Sequence, residues 1–363
     1  MLVLGIIFIL LFVQGILTEV LKAKPIAYIS SVLLIALFLY ITVGITYTAD
    51  YDMYYYFFKY DVKTDYVFTQ LSKVFKSIGW SFHDLYAVHI IMITLLLMLF
   101  VLRYNVNVFY IFLFFITIEF VHFTNQIRYF LGFAFLLLSF HSLYKKNYVY
   151  FGIYAALTLL THIALVVLFT FIPIFYVVKS EIYLKRILVF AGFCFLLVFG
   201  LFNTGIGKEI SHFGEYFSAS GISSFAGGLY NTIPSIILIA YLYLETKKYI
   251  ANHPDCFDDK KFIFLFKLTF YTIIFIPASF FLQIAGHRYV MPFVIVYAIY
   301  FLYMIRDYNA NLKIAKLGMF SFVGFVVCLF LYVFPSYVLD ENHYLNETEW
   351  ILESIKYLKY KEW

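Results

Sequence analysis

Charge is what this sequence has least of. Lys, Arg, Asp and Glu make up 13% of its 363 residues, where ordinary soluble domains carry about 25%. Apolar side chains reach 64%, more surface than a soluble globule could hide. Cysteine is scarce too. Cys194 and Cys328 lie within apolar runs and Cys256 in a polar loop, so neither a disulfide framework nor a thiolate metal site is indicated. The alternating segments of a transmembrane barrel are missing. No H-E-x-x-H zinc motif, Walker loop or G-x-S-x-G elbow occurs, which argues against a metalloprotease, an ATPase and a standard serine hydrolase. No soluble domain, fixed-period repeat or low-complexity tract interrupts the chain.

What is present is a succession of apolar runs of about 17–25 residues, each near the length that crosses ~30 Å of hydrocarbon as a helix. They fall at about 2–17, 26–46, 86–102, 108–124, 127–144, 148–161, 163–178, 187–203, 230–244, 262–282, 289–305 and 314–334. Twelve such runs predict an all-α, polytopic membrane helix bundle, a single transmembrane domain over residues 1–334 with a tail at 335–363. The first run lacks a basic leader and a small-residue cleavage site before Lys22, so it reads as a retained span and not a signal peptide. Aromatics make up 23% of the chain, and many of the tyrosines stand beside charges at run ends, where an amphipathic ring suits the interface.

Basic residues set the orientation, because Lys and Arg stay on the cytoplasmic side. Alternate loops hold Lys22 and Lys24; Arg103, Lys145 and Lys146; Lys179, Lys185 and Arg186; Lys247, Lys248, Lys260 and Lys261; and Arg306, Lys313 and Lys316. With these loops cytoplasmic, both termini are expected outside. The net charge of +5 then reflects orientation signals and not a nucleic-acid patch. Basic clusters at both ends of 148–178 require that stretch to go out and come back, which puts His162 at the turn on the external side or within the outer half of the membrane.

Two external loops stand out, 47–85 and 204–229. Two short helices fit the first. Val67, Phe68, Leu71, Val74, Phe75 and Ile78 recur at helical spacing opposite Gln70, Lys73 and Lys76, the pattern of a helix lying in the interface. The second loop is rich in Gly and Ser. In the tail, Trp350, Ile351, Ile355 and Leu358 mark one more amphipathic stretch.

Polar groups inside a membrane are costly and mark function unless they merely snorkel or glue helices together. In T-I-E-F-V-H-F-T-N-Q-I-R-Y-F, Glu119, His122 and Gln126 are spaced to share a helical face. Glu119 lies about five residues inside the outer end, roughly 8 Å deep, either in a packing pair with His122 or in a catalytic or ligand role. Arg128 and Arg288 open spans on the side where few arginines belong. Each has two readings: a guanidinium that grips an anionic ligand bidentately, or one neutralised by a carboxylate such as Glu119 or Asp65. His162, in L-T-H-I-A, is either a packing histidine or a group lining a cavity. Asp50 and Tyr54, four apart, could bind sugar hydroxyls or cap a helix.

These motifs in this order resemble the EpsG-like branch of the Wzy-type polymerases of bacterial surface polysaccharides, the class that builds O-antigen, capsule and exopolysaccharide. The resemblance rests on G-I-T-Y-T-A-D-Y-D-M-Y after the second span and on D-Y-V-F-T-Q-L-S-K-V-F-K-S-I-G. It rests also on Q-I-R-Y-F-L-G-F-A and on L-T-H-I-A-L-V-V-L-F. It runs to about residue 178 and more faintly to Arg288. It matches the family's acidic residue to Asp50, its tyrosine to Tyr54, its loop arginine to Arg128, its histidine to His162 and its late arginine to Arg288. Three positions depart from the pattern. Thr46 stands where an arginine is usual, Asp65 replaces a glutamate, and Tyr129 replaces a glutamine.

The resemblance implies a membrane glycosyltransferase that polymerises undecaprenyl-pyrophosphate-linked oligosaccharide repeat units at the external leaflet of the bacterial cytoplasmic membrane. The candidate catalytic residues are Asp50, His162 and Glu119. The candidate substrate-binding residues are Arg128, Arg288, Tyr54, Asp65, His122, Gln126 and Tyr129. Neither metal nor cofactor is expected, since the lipid-linked donor already stores the energy. Besides that donor and the bilayer, a chain-length regulator and a flippase are the partners such a role would call for. A lipid-linked glycan ligase would use the same donor but usually carries its active site on a large external loop. A transporter or flippase would show symmetry between halves and polar groups through the full membrane depth, whereas here they gather on one side.

Overall fold

Helices account for the chain because its apolar runs leave the backbone no partner but itself. The computed structural model describes residues 2–204 and 225–334. Most of the Gly/Ser-rich loop and the expected amphipathic stretch after Pro335 lie outside the described residues.

α1 (Leu2–Gly15) continues through a π-helical turn at Ile16–Val20, and α2 spans Lys24–Val43. The first large loop then folds into α3 (Tyr51–Tyr60) and α4 (Tyr66–Ser77), the two short helices expected there. α5 (Phe82–Leu102), α6 (Val108–Asn125), α7 (Ile127–Tyr144) and α8 (Tyr148–Thr161) follow. A 3-10 stretch at Ile163–Thr170 leads into α9 (Phe171–Val177) and α10 (Tyr183–Thr204). The remainder is α11 (Phe225–Asn252), α12 (Lys260–Tyr271), α13 (Ile276–Phe281), α14 (Gln283–Tyr289), α15 (Val294–Ile305) and α16 (Ala310–Cys328). No strand forms among the described residues. Among the described residues, eight helical stretches are long and apolar enough to cross a membrane. Four shorter apolar ones, Leu4–Val20, Tyr148–Thr161, Ile163–Val177 and Met291–Ile305, coincide with the rest of the twelve runs.

Polar residues just ahead of the runs start several helices. Ser81 and Asp84 form a capping box on α5, the Ser81 N–H donating to Asp84 Oδ2 at 2.7 Å. Asn147, Asp259 and Asn309 accept from the first backbone N–H groups of α8, α12 and α16. Each cap satisfies an orphan donor and stabilises its helix by about 1 kcal/mol.

The described chain divides into two compact units. One gathers residues 24–109 and 119–170, the other residues 2–23, 110–118, 171–204 and 225–334. In the first unit α7 is the central post: every side chain from Tyr129 to Leu143 is buried. α8 and α5 pack along it, α2 and α3 rest on α5, and α4 lies against both α5 and α8. The apolar stripe of α4 is therefore divided. Phe68, Ser72 and Phe75 are buried, while Val74 and Ile78 stay exposed. In the second unit α15 is the buried centre, with all of Val294–Ile305 inside. Phe320 stacks between Phe114 and Phe301, with ring centroids 4.5 and 4.1 Å away.

The sequence required a break inside 148–178, and the chain breaks at His162, where α8 stops and the backbone turns extended (φ −159°, ψ 103°). Gly132 makes room for that break. A Cβ there would sit 2.6 Å from Leu165 Cδ1, 3.4 Å from the Thr158 carbonyl oxygen and 3.5 Å from His162 Cβ. Ala is expected to be tolerated through a shift of Leu165, whereas the branched Gly132→Val should push α8 and the His162 turn away at a cost of about 1–3 kcal/mol. A thermal midpoint of detergent-purified Gly132→Val equal to that of wild type would mean that this close approach is not a constraint.

Candidate functional site

Arg128 is the second residue of α7, placed where the chain leaves α6 and turns into the central post. Its guanidinium donates from Nη1 to Asp65 Oδ2 at 2.7 Å. The guanidinium carbon also lies 5.0 Å from the Tyr54 ring, 5.5 Å from Phe57 and 5.7 Å from Phe68, so α3 and α4 wall it with π faces. The side chains of Arg128 and Asp65 are each 14% exposed. Solvent reaches this pair only at its edge, where screening is far weaker than at an open surface.

Asp65 stands at the N-cap position of α4, where an aspartate normally accepts from its own helix. It makes no such bond. Its carboxylate reaches away instead, and Oδ2 takes a second donor, His162 Nδ1–H at 3.3 Å. Since a carboxylate can only accept, this contact puts the neutral-ring proton on Nδ1. The His162 backbone is fixed as well. Its N–H donates to the Thr158 carbonyl at 2.9 Å, and its carbonyl accepts from Leu165 N–H at 3.1 Å to begin the 3-10 stretch. The ring stands edge-on to Tyr129 with centroids 5.6 Å apart. Asp65, Arg128, His162, Tyr54 and Tyr129, drawn from four separate places in the sequence, thus meet in one cluster.

Asp50 sits at the start of α3 but its side chain does not cap that helix. Its backbone N–H donates to Asn125 Oδ1 at 2.6 Å, tying the loop to the end of α6. Tyr54 is buried to 3% exposure, with its ring beside the Arg128 guanidinium. Next to Asp50, burial and the neighbouring Asp52 push the Tyr51 hydroxyl up to about 12. It stays protonated and hydrogen-bonds to His83 Nδ1 at 3.4 Å, pinning α3 to the first turn of α5.

Glu119 and His122 share a face of α6, with Oε2 and Nδ1 3.7 Å apart. Glu119 is fully buried, and neither of its oxygens accepts a hydrogen bond among the described residues. α6 ends at Asn125, so Gln126 occupies the joint ahead of α7 (φ −100°, ψ 54°), its N–H bonded to the His122 carbonyl at 2.8 Å. Arg288 lies partly buried on α14 in the other unit.

Two contributors escaped the sequence reading. His89 is fully buried on α5, donates from Nδ1 to the Leu85 carbonyl at 2.8 Å, and packs 5.7 Å from Phe68. Its Nε2 has no hydrogen-bond partner among the described residues. A histidine within an apolar run was the available signal. Asn125 had no signal beyond its polarity, because its role is to receive a backbone 75 residues away. Replacing it makes a direct test: Asn125→Leu removes the acceptor of Asp50 N–H and is expected to destabilise the protein by about 1–3 kcal/mol. Limited proteolysis between α2 and α3 should then quicken, and an unchanged cleavage rate would show that the loop is held by other contacts.

The family model described as the EpsG family matches residues 28–347. That range takes in the Asp65–Arg128–His162 cluster, the Glu119–His122 pair and Arg288. No curated protein and no solved structure gave a match. With 28–347 of its 363 residues matched, the chain belongs to the EpsG family, as a multi-pass helical membrane protein of polysaccharide synthesis.

Proposed function

We propose that this protein polymerises undecaprenyl-pyrophosphate-linked oligosaccharide repeat units at the outer leaflet of the bacterial cytoplasmic membrane. The observation that carries the reading is Arg128, a shielded guanidinium with its charge oriented by Asp65 and its faces packed on Tyr54 and Phe57. Cleaving a glycosyl–pyrophosphate bond leaves negative charge on the departing oxygen, and a fixed cation lowers that barrier most where water is scarce. A planar guanidinium suits phosphate oxygens and keeps its charge at any physiological pH. Arg288 is a second guanidinium that we assign to anionic substrate, on the resemblance described above.

On the acceptor side, His162 is the preferred group for taking the hydroxyl proton, with Asp50 as the alternative. His162 is favoured because its ring orientation is set by a carboxylate.

Arg128→Lys keeps the charge but loses the fork, so surface glycan should become shorter and scarcer in cells with matched protein levels, while membrane insertion is unchanged. Wild-type chain lengths with Lys at 128 would remove Arg128 from the pyrophosphate. Topology gives an independent check. In a background with the three native cysteines replaced, Tyr66→Cys and Gln126→Cys should react with a membrane-impermeant thiol reagent added to intact cells, and Lys146→Cys and Lys248→Cys should not. The reverse pattern would put the cluster on the cytoplasmic side, where an outer-leaflet polymerase cannot use it.

A further inference from the structure

One carboxylate oxygen serves two groups. Asp65 Oδ2 accepts from Arg128 Nη1 at 2.7 Å and from His162 Nδ1 at 3.3 Å, and Asp65 gives up the cap of its own helix to do so. We infer that Asp65 is a positioning residue and not a substrate ligand: an internal anion that fills Arg128 until a phosphate displaces it, and that then orients His162 alone. The inference rests on the polymerase reading above.

The chemistry follows from competition for a single fork. A carboxylate against Arg128 repels an incoming anion and occupies the donor that the anion needs, so it weakens donor binding. When the donor pyrophosphate draws the guanidinium away, Oδ2 is left to Nδ1–H alone. This fixes the tautomer in which Nε2 can accept a proton, and stabilises the imidazolium once the proton arrives. The transfer then balances as follows. The acceptor hydroxyl gives its proton to His162 Nε2 while its oxygen bonds to the anomeric carbon of the donor glycan. The bond from that carbon to the phosphate oxygen breaks, its electron pair leaves with undecaprenyl pyrophosphate, and the new negative charge settles against Arg128. Deprotonation of His162 to water resets the site.

Such a dual role predicts opposite signs for binding and turnover, which neither a substrate-binding nor a purely structural carboxylate would give. The full-length protein in lipid nanodiscs is titrated with undecaprenyl pyrophosphate, and polymer is measured in cells at matched protein levels. Asp65→Asn should bind the probe about tenfold more tightly, the scale of losing one competing charge, yet make no polymer. Asp65→Glu should restore polymer, since a carboxylate is all that is required. Weaker probe binding by Asp65→Asn, or polymer of wild-type length from it, overturns the inference. Where Asp65→Asn is poorly produced, Asp65→Glu against Asp65→Gln carries the same comparison, and equal polymer from both overturns it. Arg128→Ala separates the two levels. Unchanged probe binding in that variant sinks the pyrophosphate reading itself, whereas lost binding there with unchanged binding in Asp65→Asn sinks only the role given to Asp65.

Discussion

The contact between Asp65 and Arg128 joins segments 63 residues apart and decides how the first unit is assembled. α3 and α4 are short, and neither could hold a position in water or at a lipid surface on propensity alone. Phe68 and Phe75 anchor α4 to the helices behind it, but burial of rings sets no register. The ion pair does, because a guanidinium screened from solvent must meet its carboxylate in one geometry or be left uncompensated, at a cost of about 3–5 kcal/mol. The same pair brings Tyr54 and Phe57 over the guanidinium, so both loop helices are located by one side chain of α7.

That side chain is itself placed by the most rigid part of the unit. From Tyr129 to Leu143 α7 has no exposed residue, and Gly132 lets the α8 turn approach it at the level of His162. Arg128 is the first position on α7 that can project out of this packed shaft, and His162 is the point where α8 runs out of helix against it. A post that cannot move and a break that cannot shift define the distance between a cation and an imidazole. The polar cluster thus inherits its precision from apolar packing.

The architecture was legible in the sequence because it depends on run length and composition, which lipid imposes strictly. All twelve apolar segments fall on helices, including the interrupted stretch at His162, where basic residues on both sides demanded an even number of passes. Arg128, Asp65, His162, Tyr54 and Tyr129 were each singled out, but their meeting was not legible, since periodicity carries no information across a gap of 97 residues such as that between Asp65 and His162. For Arg128 the two readings, ligand grip and salt bridge, had been posed as rivals, and the pair with Asp65 is present. His89 was passed over because an apolar run conceals a single polar residue, and Asn125 because a side chain that receives a distant backbone N–H leaves no pattern.

A cation in apolar surroundings need not mean a ligand, and Lys267 in the second unit shows the contrast. Its ammonium donates to the carbonyls of Phe175 at 2.8 Å and Val178 at 2.5 Å, at the exposed end of α9, with the rings of Phe175 and Tyr183 beside it. Both hydrogen-bond acceptors there are fixed backbone carbonyls, and the charge is spent on the negative end of a helix that would otherwise leave its acceptors unsatisfied. Arg128 differs in the nature of its partner. Asp65 is a side chain at the N-cap position of α4 that does not cap its own helix, and its oxygen is shared with the His162 ring. A backbone carbonyl cannot be displaced without unfolding a turn, but a carboxylate can rotate away when a second anion arrives. That difference separates a structural charge from an exchangeable one, and it is why the proposed polymerase reading assigns the donor to Arg128 and not to Lys267.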